Sequence, residues 1–164
     1  MGPTAERSLI EAGTGMAAVQ PQVQAPVVDA AFVDSLQRRL MQQRADPHES
    51  LGADFAGLVA DNHRWNRLLW AQEDEARRTD VPDAAIVQNK RAIDRYNQRR
   101  NDAIEAIDDW LLTSLQRTPT GPDAWVNSET AGSIVDRLSI NLLKLHHMGL
   151  QVQRRDAPTE HVER

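Results

Sequence analysis

One stretch decides most of what this chain can become. From Pro82 to about residue 116 the apolar residues recur at the spacing of a single long helix. Projected at about 100° per residue, Ile86, Ile93, Ile104, Ile107 and Leu111 fall on one stripe. Asp80 is placed to cap the start, and Pro82 belongs in the first turn. Three other segments carry the same period. The first, about 29–44, sets Phe32, Val33, Leu36 and Leu40 on one face. The second, about 50–78, does so with Phe55, Val59, Leu69 and Trp70. The last, about 128–154, does so with Ile134, Leu138, Leu142 and Leu145. Val, Ile and Thr are too scattered, and turn dipeptides too rare, for strands. Four helices on short connections predict an all-α fold, an up-down four-helix bundle over residues 28–154. Residues 1–27, rich in Ala, Gln and Pro, read as a disordered N-terminal arm, and 155–164 as a disordered tail. Deleting residues 1–25 is expected to leave the melting temperature nearly unchanged.

Composition removes several function classes. The net charge of −5 gives no global field for nucleic acid or anionic lipid, so neither is an expected partner. The chain has no cysteine, which rules out disulfides, thiolate zinc sites and a Cys nucleophile and fits a reducing compartment. No apolar run approaches the roughly 18 residues of a membrane span. Glu6, Arg7 and Glu11 interrupt any signal-peptide pattern, and Gly2 lacks the Ser or Thr that a myristoylation site needs. A cytoplasmic location is expected.

The polar residues that interrupt the stripes are more informative. Asn97 falls in the middle of the third stripe. Arg100 lies on one shoulder of it, Lys90, Asn101 and Asp108 lie on the other, and Asp94 and Glu105 lie just beyond. On the second helix Asn62, Asn66 and Glu73 occupy the stripe, with His63 and Asp74 beside them. On the fourth, Arg137 and Asn141 flank it. An unsatisfied buried polar group costs about 1–3 kcal/mol, so these groups must meet one another, water or a ligand. The simplest arrangement is a polar cavity inside the bundle. In that cavity Asn62, Asn66, Lys90, Asn97, Arg100, Asn101, Ser128, Arg137 and Asn141 would bind substrate, and His63, Glu73 and Asp94 would do acid–base work. A purely structural network that fixes helix register accounts for the same residue types. In "NSETAGSIVDRLSI", Asn127 or Ser128 can cap the fourth helix, and its first N–H groups with Arg137 would suit a phosphate.

Three blocks carry a resemblance: "HRWNRLLWAQEDEAR" (His63 to Arg77), "KRAIDRYNQRRNDAIEAID" (Lys90 to Asp108) and "NSETAGSIVDRLSI" (Asn127 to Ile140). Together they resemble a bacterial family classified only as a domain of unknown function, over about residues 55–148. Genes of that family often lie beside glycosyltransferases and cell-surface sugar pathways. The resemblance therefore implies a sugar or nucleotide-sugar connection, and it brings no catalytic assignment.

Three functions compete. The first is a small helical enzyme, or a binding protein, for a hydroxylated or phosphorylated metabolite such as a sugar phosphate or nucleotide sugar. The second is a Mg²⁺-dependent nucleotide pyrophosphohydrolase, with Glu105 and Asp108 one turn apart and Glu73 and Asp74 completing the site. The third is a non-enzymatic partner of a biosynthetic enzyme. Only the second calls for a metal, and no other cofactor is assigned. A di-iron centre is not expected, because no Glu-x-x-His pair lies on these helices. Trp110 and Trp125 fall outside the core stripes, and a homodimer is expected.

Overall fold

The structure, a computed structural model, describes residues 28–49, 51–115 and 121–153. The predicted arm and tail lie outside the described residues. Four helices form: α1 (Ala30–Leu40), α2 (Phe55–Glu75), α3 (Asp83–Leu115) and α4 (Ala131–Val152). The fold is the expected all-α four-helix bundle, with no strand among the described residues.

Caps set the boundaries, and two differ from expectation. Asp29 opens α1 by accepting from the Ala31 N–H at 2.9 Å, and Asp54 opens α2 by accepting from Gly57 at 2.8 Å. Asp80 does not cap α3. Its carboxylate is held by the Arg78 guanidinium at 3.0 and 3.1 Å, while Pro82 lies just outside the helix and its carbonyl accepts from Ala85. At α4 the cap is Thr130 rather than Asn127 or Ser128. Its backbone is extended, and its Oγ1 accepts from the Ser133 N–H at 3.1 Å.

α3 runs antiparallel to both α2 and α4. α1 instead runs in the same sense as α2. Phe32 stacks on Phe55 with ring centroids 6.3 Å apart, and eight residues later the Leu40 carbonyl accepts from Arg67 at 2.6 Å. The connection 41–54 must therefore return the chain along the outside of α2. Two buried or half-buried cations fasten it. Arg64 donates to the carbonyls of Asp46 and Glu49, and Arg67 to those of Leu40 and Gln43. With α1 lying over the groove between α2 and α4, α2 becomes the central helix, and every residue from Asn62 to Asn66 is buried.

The apolar core gathers Val33, Leu36, Phe55, Val59, Ile107, Leu111 and Val135, with Trp110 tilted against Phe55 at 5.2 Å. Burying each such aliphatic or aromatic side chain stabilises the fold by about 1.5–3 kcal/mol. On α4 the buried face differs from the predicted one. Gly132, Val135, Asp136, Ser139, Leu142 and Leu143 face inward, whereas Ile134 is 38% and Leu145 67% exposed. Two of the inward positions are polar, which disguises the true stripe.

Candidate functional site

Where α2, α3 and α4 meet beyond the apolar core, the interior turns polar. Asp136, only 8% exposed, accepts from Asn62 Nδ2 at 2.9 Å and from Asn66 Nδ2 at 2.8 Å. Ser139, fully buried, accepts from Asn66 at 3.1 Å and bonds His63 Nδ1 at 2.8 Å. The Arg100 guanidinium stands 4.0 Å from Asp136 Oδ1. Its Nε is buried without a hydrogen-bond partner. Burial, and secondarily the Arg67 charge, push His63 down to about 4, so the imidazole is neutral at neutral pH.

Above this cluster opens a cavity of about 280 Å³, lined by Asn66, Leu69, Trp70, Glu73, Asp74, Arg77, Asn97, Arg100, Ile140 and Leu143. Asn66 joins the two layers. Its Nδ2 is engaged below by Asp136 and Ser139, which leaves its oxygen as an acceptor for the cavity. Asp74 and Arg77 pair across the rim at 3.0 Å. Glu73 and Asn97 form no side-chain hydrogen bond or ion pair among the described residues.

The predicted site residues separate into three groups. Asn66, Glu73, Asn97 and Arg100 share the cavity. Asn62 and His63 are buried beneath it, 0% exposed, and do not line it. Lys90, Asp94, Asn101, Ser128, Arg137 and Asn141 are exposed and outside it. On α3 the inward face is turned toward the Arg100 shoulder, because Ala92, Tyr96 and Ala103 pack there, and this carries Lys90, Asp94 and Asn101 into solvent. Arg137 pairs with Glu129 on the surface. Asp136 and Ser139, on which the cluster turns, were not singled out from the sequence. The signal that could have found them is their place in the block "GSIVDRLSI".

The start of α4 is also differently arranged. Asp108 Oδ1 accepts the Gly132 N–H at 2.7 Å, so a carboxylate from α3 already occupies the place proposed for a phosphate. That leaves Asp108 engaged in a cap, and Glu105 is exposed. Among the described residues no three His, Asp or Glu side chains come together to hold a metal ion.

The sequence matches the family described as "Protein of unknown function (DUF4254)" over residues 56–164. The chain belongs to the DUF4254 family. No curated protein and no solved structure matches it. The DUF4254 match takes in α2, α3 and α4, hence every residue of the cluster and the cavity, and leaves out α1. Among the described residues of this DUF4254 protein, no helix is long and apolar enough to cross a membrane.

Proposed function

We propose that the chain is a cytoplasmic enzyme or binding protein for a small hydroxylated or phosphorylated metabolite, taken up in the cavity between α2, α3 and α4. The observation that carries this is Arg100 Nε, buried without a hydrogen-bond partner and flanked in the same cavity by the unpaired side chains of Glu73 and Asn97. A buried donor left unmade is costly, and with two half-buried polar side chains, Glu73 and Asn97, standing unpaired around the same void, the arrangement suits a ligand better than a scaffold. In this reading Arg100 holds the anionic or most electronegative group. Asn97 and the oxygen of Asn66 read hydroxyls, Trp70 offers an apolar wall, and Glu73 is the group able to take a proton. His63, sealed below, acts through Ser139 and Asn66 as a positioning residue.

About 280 Å³ lies at the small end of ligand pockets, which favours a sugar phosphate over a nucleotide sugar. The sugar class itself draws on the amide-rich lining and on the gene neighbourhoods that the resemblance implies. Thermal melts with a panel of sugar phosphates and nucleotide sugars test the proposal. A ligand at about a hundred times its Kd stabilises by about 2.7 kcal/mol, which is a shift of several degrees. Glu73→Gln and Asn97→Ala are expected to keep the parent's melting temperature and lose that shift. If no compound in the panel moves the parent, the cavity is not such a site.

A further inference from the structure

The outward face of α4 presents a second apolar stripe, separate from the one that faces the core. Ile134, Leu138, Asn141, Leu145, Met148 and Val152 follow one another at alternating spacings of four and three residues, the repeat of a coiled-coil seam. Ile134 is 38% exposed, Leu145 67%, Met148 58% and Val152 53%, while Leu138 is partly buried against the core. A solvated helix face has no reason to keep this repeat, and an apolar run this long marks a contact surface.

We infer that the chain forms a symmetric dimer in which α4 of one copy packs antiparallel to α4 of a second copy along this stripe. A two-fold axis level with Leu143 sets Ile134 against Val152 of the second copy, Leu138 against Met148 and Asn141 against Leu145. Each member of the stripe thus meets another member, as an isologous contact requires. The relief of the surface agrees. A shallow groove of about 270 Å³ lined by Glu129, Ile134, Arg137, Leu138 and Asn141 runs beside the first half of the stripe. That groove lies where the same axis delivers Met148 and Val152 of the second copy. The two Asn141 side chains fall on neighbouring layers on either side of the axis. One polar residue in an otherwise apolar seam fixes register and orientation. The stripe occupies a helix of 22 residues, roughly 33 Å long, which places the contact at the small end of specific interfaces. This inference stands apart from the proposed function, because no stripe residue lines the cavity.

Sedimentation equilibrium of the full chain from about 1 to 200 µM is expected to show a monomer–dimer equilibrium. Leu145→Glu and Met148→Glu are expected to raise the dissociation constant by about a hundredfold or more while leaving the helical circular dichroism signal unchanged, since both side chains are exposed. Because the chain has no cysteine, orientation can be read by cross-linking. A chain carrying both Ile134→Cys and Val152→Cys should oxidise to a covalent dimer. Neither single variant should, because the two copies of each position lie about 27 Å apart along the direction of the paired helices. A full chain that stays monomeric, a dimer that survives both glutamates, or cross-linking by the single variants would each overturn the inference.

Discussion

His63 Nδ1 is bonded to Ser139, and its Nε2 is buried with no partner at all. Burial strips an imidazolium of its hydration and the Arg67 charge opposes it further, which is why the folded chain resists protonation. The linkage has a definite sign. Above about pH 6.5 the residue is neutral folded and unfolded, and it contributes no pH dependence. Between 6.5 and about 4 the unfolded chain takes up a proton that the folded chain refuses, so stability falls by at most about 1.4 kcal/mol per pH unit. Urea titrations at about pH 7.5 and pH 5 should show a smaller acid loss for His63→Gln than for the parent; equal losses would mean that His63 titrates normally. Arg137, exposed and paired only with Glu129, makes the contrast: Arg137→Ala is expected to stay within about 0.5 kcal/mol of the parent and to leave ligand shifts intact. These two fates explain what was legible in the sequence. Asn62, Asn66 and Asn97 stand inside strong apolar stripes, so the inward placement of all three, buried for the first two and half-buried for Asn97, could be read from spacing alone. Asp136 and Ser139 are themselves the buried positions of α4. With two polar residues on its inner face and Ile134, Leu145, Met148 and Val152 among the apolar ones left exposed, periodicity selects the wrong side and draws Arg137 and Asn141 with it.

The joint between α3 and α4 depends on one position. A Cβ added at Gly132 would come within 2.4 Å of the Ile104 carbonyl oxygen and 3.0 Å of the Asp108 carboxylate. Only a bare Cα lets the two backbones approach closely enough for Asp108 to reach the Gly132 N–H. Gly132→Ala must therefore push α4 off α3, with a loss of about 1–3 kcal/mol or more in urea denaturation. Asp108→Ala removes the cap without the clash and should cost about 1 kcal/mol. If Gly132→Ala proves neutral, the helices do not meet as closely as described. Helix existence was readable because long periodic runs report it directly. The second hold on the start of α4, beyond its local Thr130 cap, was not, since a carboxylate twenty-four residues upstream supplies it and local spacing carries no trace of that.

α1 stands outside the span matched to the family, yet it is not an ornament of the fold. Val33 is 2% and Leu36 6% exposed, and Gln37, fully buried, donates to the Val135 carbonyl at 3.2 Å. A chain begun at residue 55 loses this cover and about 3–6 kcal/mol of apolar burial. It should melt far below one begun at residue 28, or lose its cooperative transition. Equal melting temperatures for the two would show that α2–α4 fold without it. The four helices and the core faces of α1 and α2 were readable; the direction of α1 was not, because a long return loop leaves no mark in the spacing of either helix. That direction has a consequence in time. α2, α3 and α4 are joined in sequence and can meet as local hairpins, whereas Gln37 must wait for a residue ninety-eight positions away. Contacts of such span close late, so the α1 side of the molecule is expected to be unformed at the folding barrier. Arg67, which pins the return loop, then acts as a latch on escape: in stopped-flow experiments Arg67→Met should speed unfolding and leave the refolding rate almost unchanged. The lifetime of the folded chain would thus be governed by its first helix, which lies outside the residues matched to the family.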